Sequence, residues 1–441
     1  MTFAEAMPEK RLFVSLITRD ISLGDAILDL VDNSVNAAMH GVENPLNSAK
    51  AFHTFLTDPK TKPTAEIRIE ITERAISVID DAGGIDFETA RTSIFHFGHP
   101  ESDEPTRDRL SVFGIGMKRA IFKLGNAIDI HSDHADGGFS MKLDAAEWEA
   151  LPQAKWGFDI SKRPKATKNC GTVVKVSELH DDVKRRVADK TFIPLLREKV
   201  SKTYALFIGR LVQIFVNNER VDGVTSDIGQ NVSHEAFKLG NVQYSITVGI
   251  ASPSAGKTFT AESSGWFVFC NGRALTYADK SAQTGWGGEI LPAFQPKHRP
   301  FLGFVFFYSA DPEELPWTTT KDSINQESLV WQDARRNMGR IARPVISLLD
   351  NRYTDEGTEL DSGDLNRLAG GKQSPLTVSV ARASQFKPPR QSRAALTKVQ
   401  FDIETKDLVK IRKHLGKPSA SASSVGRMAF DYYVRNEVGS K

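Results

Sequence analysis

The sequence contains little cysteine and no long apolar run. Cys170 and Cys270 are its only cysteines among 441 residues, so it has no disulfide framework, and no Cys/His cluster has the spacing of a zinc site. No apolar run approaches the roughly 20 residues that a membrane-spanning helix needs, so we expect no membrane association. Residues 1–11 mix acidic and basic side chains without an apolar centre, so we expect no signal peptide and a cytoplasmic location.

Composition and charge indicate a globular chain with an uneven charge distribution. The sequence is 40% hydrophobic and 25% charged, which suits two or three domains. The net charge of +2 hides a contrast, because residues 361–441 hold 15 Lys and Arg against 7 Asp and Glu. A basic tail on an acidic body is typical of a contact with a polyanion such as DNA. A solvated tail without such a role is the alternative.

Residues 29–36 place three small polar side chains on one face of a predicted helix. Asp29, Asn33 and Asn36 are spaced i, i+4 and i+7, and apolar residues between them can bury against a sheet. A carboxylate four residues before an amide is suited to activating a water and holding Mg²⁺ beside a phosphate. The alternative is an amphipathic surface helix whose polar face is only solvated.

Residues 76–85 form a predicted strand that ends in an acidic, glycine-containing turn. Apolar residues alternate toward Asp80, and Gly83 and Gly84 then allow the backbone to approach a ligand closely. A carboxylate at a strand end can accept a hydrogen bond from an exocyclic amine such as that of adenine. The alternative is an ordinary acidic β-turn.

Residues 113–125 combine glycines with the start of a predicted helix. Gly114 and Gly116 precede the helix, and Gly125 ends it. Free N–H groups at a helix start, with Lys118 nearby, form an anion site suited to phosphates. A single Gly-x-Gly is weak evidence, and the spacing of a Walker loop is absent.

These three segments, followed by a strand-like segment at residues 171–179, resemble in order and spacing the GHKL ATPase superfamily. That group contains gyrase B subunits, the ninety-kilodalton heat-shock chaperones, histidine kinases and MutL proteins. The resemblance covers roughly residues 20–350 and is nearest to MORC-like or MutL-like proteins. It implies an α+β chain in which a layered α/β sandwich with a mixed sheet holds ATP under a mobile lid.

The resemblance also implies roles for individual residues. Asp29 falls where the family carries its general base, Asn33 on the Mg²⁺-binding amide, and Asp80 on the adenine-binding carboxylate. Lys321, in a threonine-rich loop, is the candidate for the basic residue that reaches the γ-phosphate, although a loop lysine is often only solvated. The residues expected to contact the nucleotide are Asn33, Asn36, Asp80, Gly84, Ile85, Gly114, Ile115, Gly116, Met117, Lys118 and Thr172.

Two positions depart from the family pattern. The base is Asp29 rather than the Glu of the gyrase, MutL and MORC branches, and its side chain is one methylene shorter. Hydrolysis is therefore less secure than binding, because general-base catalysis depends on geometry. Ala82 replaces the first glycine of the turn, which is acceptable where that residue does not need a positive φ.

The expected domain organisation follows the family. We expect an ATP-binding domain at 1–180 with its lid near 90–118, a transducer-like α+β domain at 181–350, a linker at 351–394, and a final segment at 395–441. The transducer-like part contains an Asn-Gly-Arg sequence ending at Arg273, a buried strand at 301–308, and a helix at 328–349 that Pro344 should kink or divide. Histidine kinases lack such a domain, which argues against that branch.

The final segment resembles the ribbon-helix-helix fold. Val399, Phe401 and Ile403 alternate as in a strand over residues 397–403, and two predicted helices follow at 405–415 and 423–438. In that fold the strands of two chains pair into a ribbon that can enter the DNA major groove. A dimerisation element without a nucleic-acid role remains an equal alternative.

Together these features predict an ATP-gated dimeric clamp. Mg²⁺ and ATP would bind the N-terminal domain, and a homodimer would act on DNA or on a protein partner. A nucleotide-binding switch without significant hydrolysis is the main alternative, and a kinase that phosphorylates a protein histidine is a third.

Overall fold

The computed structural model describes most of the chain. The described residues are 8–42, 48–98, 110, 114–152, 155–252, 259–351, 362–379, 382–388 and 399–438. They fall into two compact units, Met1–Pro388 and Pro389–Lys441. Within these ranges, no helix has both the length and the apolar character needed to cross a membrane.

A large mixed sheet forms the first layer of the first unit. Its eight strands are β1 (Ala65–Ile71), β2 (Ala75–Asp80), β3 (Gly125–Asp133), β4 (Phe139–Asp144), β5 (Ile160–Lys162), β6 (Gly171–Leu179), β7 (Val212–Val216) and β8 (Glu219–Val221). They lie in the order β5-β4-β3-β6-β2-β1-β7-β8. The β1–β7 pair is parallel and the other neighbours are antiparallel, which confirms the predicted mixed sheet.

Eight α-helices accompany this sheet in the described residues. They are α1 (Lys10–Arg19), α2 (Leu23–His40), α3 (Ala49–Thr57), α4 (Phe87–Thr89), α5 (Gly116–Leu124), α6 (Ala145–Ala150), α7 (Asp181–Ala188) and α8 (Phe192–Thr203). A π-helical segment, Ala90–Ile94, continues α4. Ser22 caps α2 by accepting a hydrogen bond from the Asp25 N–H. Helix α2 is buried on nearly all sides, including the polar residues Asp29, Asp32 and Asn36. Buried polar groups need hydrogen-bonding partners, so these residues indicate a functional site beside α2.

The second layer of the first unit is a five-stranded sheet. Its strands are β9 (Ile228–Leu239), β10 (Val242–Ala251), β11 (Gly265–Cys270), β12 (Arg273–Asp279) and β13 (Phe301–Tyr308), in the order β12-β11-β13-β10-β9. Strand β13 is buried throughout, as the continuous apolar run predicts. Helix α9 (Leu329–Asp350) packs on this sheet and continues past Pro344, so of the two predicted effects of this proline, a kink or a division of the helix, the division does not occur.

Two expected boundaries differ from the structure. The first sheet extends beyond residue 180, because β7 pairs with β1 in parallel and β8 follows it. Part of the expected linker at 351–394 is folded as α10 (Ser362–Leu368) and α11 (Pro375–Ser379). Apolar side chains from this region are buried against the second sheet, which its Gly- and Ser-rich composition concealed; they are Leu365, Leu368, Leu376, Val378 and Phe386.

The second unit contains α12 (Thr405–His414) and α13 (Ala422–Tyr433), which continues as a π-helical turn, Val434–Val438. The predicted strand at 397–403 is not formed in its described part, because residues 399–404 are neither helix nor strand. An extended segment needs a neighbouring strand, and residues 399–438, the described part of this unit, supply none. Residues 397 and 398 lie outside the described residues. Val425 is the one buried side chain among residues 399–438.

Candidate functional site

A cavity of about 800 Å³ lies beside α2, the ends of β2 and β6, and the start of α5. Ten of the eleven residues expected to contact a nucleotide line it, namely Asn33, Asn36, Asp80, Gly84, Ile85, Gly114, Gly116, Met117, Lys118 and Thr172. Ile115 does not line the cavity but precedes α5 as its N-cap residue. The fold therefore brings segments that are far apart in the sequence to one cavity.

The sheet positions one end of this cavity. Asp80 ends β2 and is opposite Thr172 on β6, which is itself opposite Ser132 on β3. Asp80 Oδ2 accepts a hydrogen bond from the Ser34 hydroxyl at 2.7 Å, and Oδ1 accepts from the N–H groups of Ala82 at 3.1 Å and Thr172 at 3.3 Å. Burial raises the pKa of the Asp80 carboxyl, although these hydrogen bonds oppose it. A carboxylate with three donors can accept one more, such as an exocyclic amine.

The turn after β2 has the backbone that its glycines allow. Gly83 and Gly84 have positive φ values of 96° and 71°, whereas Ala82 is not among the residues with positive φ. A Cβ on Gly84 would lie 2.0 Å from the Asp133 carbonyl oxygen, so no other residue fits there. The alanine at position 82 therefore leaves the turn intact.

The start of α5 forms the opposite end of the cavity. Its first turn has neither a side-chain cap nor an acidic residue, so its N–H groups favour an anion. Lys118 Nζ donates to the carbonyl oxygens of Ile94 at 2.8 Å and His96 at 2.5 Å. Burial lowers the pKa of Lys118 to about 8. Protein carbonyls thus hold this ammonium at the cavity wall.

Asn36 and Asn33 differ in what they contact. The Asn36 amide oxygen accepts a hydrogen bond from the N–H of Leu110, a fully buried residue of the predicted lid. This contact anchors the lid to α2. Lid residues 99–109 and 111–113 lie outside the described residues. Asn33 is exposed at the cavity, and within the described part of the chain its side chain makes no hydrogen bond, so its amide oxygen is available to a ligand.

Asn33 fits a magnesium site in which most ligands come from elsewhere. No group of three or more His, Cys, Asp or Glu side chains in the described ranges forms a metal cluster. Mg²⁺ typically takes one or two protein oxygens and completes its shell with water and substrate phosphates. A single amide oxygen beside an anion site matches this mode of Mg²⁺ coordination.

The two expected catalytic residues lie behind the cavity wall. Neither Asp29 nor Lys321 is among the described residues that line the cavity. Asp29 Oδ2 accepts from Arg119 Nε at 3.0 Å and Nη2 at 2.5 Å. Burial raises the pKa of the Asp29 carboxyl, although Lys321 and Arg119 oppose it. A Cβ on Gly116 would lie 3.5 Å from Asp29 Cγ, so the carboxyl group lies directly behind a residue that lines the cavity.

A second buried carboxylate, Asp32, joins α2 to the second sheet. Its Oδ1 accepts from the Tyr204 hydroxyl at 2.7 Å and Arg273 Nε at 3.0 Å, and its Oδ2 accepts from Lys321 Nζ at 2.7 Å. Burial alone would raise its pKa, but the adjacent Arg273 and Lys321 charges lower it. Sequence reasoning did not place Arg119, Asp32 or Tyr204 in the site. The sequence offered one indication for Arg119, since this second basic residue directly follows Lys118 in a short helix that is otherwise largely apolar.

Comparison with known proteins gives a match over the N-terminal part of the first unit. Residues 21–162 match a family model described as histidine kinase-, DNA gyrase B- and HSP90-like ATPase. This match supports a GHKL-type ATP-binding domain in the first unit. The matched segment contains Asp29, Asn33, Asp80 and the start of α5, and it ends before Thr172. A search of curated proteins finds no significant match to the sequence.

Proposed function

We propose that this chain binds Mg²⁺-ATP in the cavity beside α2, hydrolyses it slowly, and acts as an ATP-gated dimeric clamp. The observation that carries this proposal is the convergence of residues from three separate segments on a single cavity. One end offers a carboxylate acceptor, Asp80, and the other offers an uncapped helix N-terminus with Lys118. An adenine amine and a triphosphate match these two ends.

Asn33 would hold Mg²⁺ beside the phosphates, and the ion would neutralise part of their charge. Lys118 would leave the Ile94 and His96 carbonyls to pair with a phosphate oxygen, which ties the lid to nucleotide binding. Asp29 would act as the general base. Lys321 would exchange its ion pair with Asp32 for the γ-phosphate.

The second sheet gives this exchange a consequence outside the cavity. Arg273 begins β12, and its Nη1 donates to the Lys321 carbonyl oxygen at 2.5 Å. Arg119 Nη1 and Nη2 each lie 3.4 Å from the Thr319 carbonyl oxygen in the same loop. A movement of Lys321 toward a phosphate would therefore change the contacts of the loop at 318–323 and of β12. This coupling supports a transducer role for the second sheet.

Dimerisation and the partner complete the proposal. Lid ordering by nucleotide would let two N-terminal parts associate, and the C-terminal unit would add a second contact between chains. The excess of basic residues in 361–441 favours DNA as what the clamp holds, and a protein partner is the alternative.

A switch that binds ATP without significant hydrolysis is the second candidate. Arg119 engages Asp29, and Asp29 does not line the cavity, so this observation favours the switch. The Asp-for-Glu replacement favours it as well.

Asp29→Asn tests the choice between the two. If the chain is an ATPase, the variant should keep only a small residual rate of phosphate release, yet bind a non-hydrolysable ATP analogue with wild-type affinity by calorimetry. Replacing Asp29 leaves Arg119 without its buried partner, which costs about 3–5 kcal/mol, so folding is checked by thermal melting. Asp81→Asn, at an exposed neighbour of Asp80, is the control. If the wild-type protein binds the analogue but releases no phosphate, the chain is a nucleotide-binding switch. If it does not bind the analogue, both the ATPase and the switch are contradicted.

A further inference from the structure

Two buried carboxylates lie one helical turn apart on α2, and their oxygens are not equally occupied. Asp32 has a hydrogen-bond donor on each oxygen, from Tyr204 and Arg273 on Oδ1 and from Lys321 on Oδ2. Asp29 has donors on Oδ2 alone. Its Oδ1 is buried without a hydrogen-bond partner in the described part of the chain.

Arg119 causes this asymmetry. Its Nε and Nη2 both donate to Asp29 Oδ2, and the two side chains are only 4% and 1% exposed. A planar guanidinium fixes a carboxylate in two directions, which a lysine ammonium cannot do. Arg119 is held in turn by the Thr319 carbonyl oxygen, so its own position depends on the loop that carries Lys321.

The second cation near Asp29 does not occupy Oδ1. Lys321 Nζ lies 3.8 Å from that oxygen, beyond hydrogen-bond reach, because Asp32 Oδ2 holds it at 2.7 Å. Gly116 lines the cavity and lies next to the Asp29 carboxyl group, since a Cβ on Gly116 would be 3.6 Å from Oδ1. Of the four oxygens of the two carboxylates, Asp29 Oδ1 is therefore the one without a hydrogen-bond donor in the described residues, and it lies next to the cavity wall at the phosphate end.

We propose that Arg119 is a positioning residue that fixes Asp29 Oδ2 and thereby leaves Oδ1 as the atom that accepts the proton of the attacking water. This inference rests on the proposed hydrolysis of ATP. As the water oxygen bonds to the γ-phosphorus, one water O–H bond breaks and its proton forms an O–H bond with Oδ1. The bond from the γ-phosphorus to the bridging oxygen breaks, and ADP leaves with that electron pair.

The test compares Arg119→Lys and Arg119→Gln, each in the wild-type background and in an Asp29→Asn background. Phosphate release at saturating Mg²⁺-ATP gives kcat, and calorimetry with a non-hydrolysable ATP analogue gives Kd. We expect kcat to fall about 30-fold or more in Arg119→Gln and less in Arg119→Lys, with Kd within about twofold of wild type, because Arg119 acts only through the base. In the Asp29→Asn background neither substitution should change kcat further.

Lys123→Gln is the matched control, because Lys123 is a half-buried cation on the same helix that does not line the cavity. Thermal melting verifies folding, and Arg119→Lys keeps the charge if Arg119→Gln does not fold. Unchanged kcat in a folded Arg119→Lys variant overturns the positioning role while ATP hydrolysis stands. A further loss of kcat in the Asp29→Asn background also overturns it, since Arg119 would then act directly. If the wild-type protein binds the analogue but releases no phosphate, the positioning role is overturned while nucleotide binding stands. If it does not bind the analogue at all, the proposed function itself is refuted.

Discussion

The Lys321 ammonium lies 2.7 Å from the Asp32 carboxylate, and both side chains are almost fully buried. This ion pair joins α2 to the loop that follows the second sheet. Lys321 can leave it without stranding a charge, because Asp32 keeps the Arg273 guanidinium and the Tyr204 hydroxyl. Removing the only partner of a buried charge is costly, so a shared carboxylate makes such an exchange feasible. The arrangement suits a lysine that moves between a protein carboxylate and a phosphate.

The adenine end of the cavity depends on Asp80. Asp80→Ala should weaken ATP binding about tenfold or more, because the adenine amine loses its acceptor and an unpaired buried donor costs about 1–3 kcal/mol. Calorimetric titration with a non-hydrolysable analogue measures the change, and GTP should bind poorly to the wild-type protein.

Asp81→Ala is a close control for that substitution. Asp81 is exposed and does not line the cavity, and its carboxylate accepts from the Glu66 N–H at 2.6 Å. The control should bind ATP as the wild type does. Equal affinities for the Asp80 and Asp81 variants would remove Asp80 from the adenine site.

Local patterns predicted those parts of the site that lie within single segments. Alternation along β2 gave the position of Asp80 at a strand end, and the three-and-four spacing on α2 gave the shared face of Asn33 and Asn36. These signals come from the periods of strand and helix alone. The pairing of Arg119 with Asp29 could not be predicted, because it depends on how α5 packs against α2.

The same limit explains the error over residues 351–394. Short apolar runs between glycines and serines give no period, yet Phe386 and Leu376 are buried once the second sheet exists. Ile228 and Gln373 form an isolated bridge that ties this segment to β9. Such burial is decided by the partner surface and not by the segment itself.

Lys118 should make ATP affinity depend on pH. Burial lowers its pKa to about 8, so the side chain is protonated below that pH and progressively neutral above it. A bound phosphate favours the charged form, and binding above about pH 8 must then take up a proton. Affinity should therefore be constant below pH 8 and fall above it, by at most about tenfold per pH unit.

Calorimetry between about pH 6.5 and 9.5, a range that spans the Lys118 pKa of about 8, measures how ATP affinity changes with pH. Lys118→Met should bind more weakly at low pH and lose the decline above pH 8, whereas Lys123→Met should keep it. A wild-type affinity that stays flat across the range excludes pairing between Lys118 and a phosphate.

His53 should make folding stability depend on pH. It is 6% exposed on α3, and burial, with a smaller effect of the His234 charge, lowers its pKa from 6.5 to about 4. The unfolded chain therefore binds a proton near pH 6.5 while the folded chain does not. The stability is present above about pH 6.5 and is lost as the pH falls toward 4, by about 3 kcal/mol in all.

Urea unfolding at pH 7 and at pH 4.5 measures this loss. His53→Gln should reduce the difference between the two pH values by about 2–3 kcal/mol, because the substituted side chain does not titrate. His131→Gln, at a half-buried position on β3, should leave it unchanged. The same pH dependence in both variants would show that other groups cause the loss.

The C-terminal unit exposes an unusual amount of apolar surface. Ten of the seventeen exposed large apolar side chains in the described residues lie within 399–438, including Phe401, which is 64% exposed. A segment that buries only Val425 does not fold stably without a partner. Deleting residues 395–441 should therefore abolish dimerisation without nucleotide, as sedimentation would show. ATP binding should survive, because the whole cavity lies in the first unit.

Point substitutions separate dimerisation from DNA binding in this unit. Phe401→Ser should dissociate the dimer, whereas Asp402→Ser, at the next exposed residue, should not. If the unit also contacts DNA, the deletion should remove the steep salt dependence of binding, whose slope is about 0.9 per phosphate contact on a log–log plot. A truncated chain that binds DNA as tightly as the full chain at equal salt would place the DNA contact elsewhere. Residues 395–441 would then act in dimerisation alone, since their apolar side chains would still require a second copy to cover them.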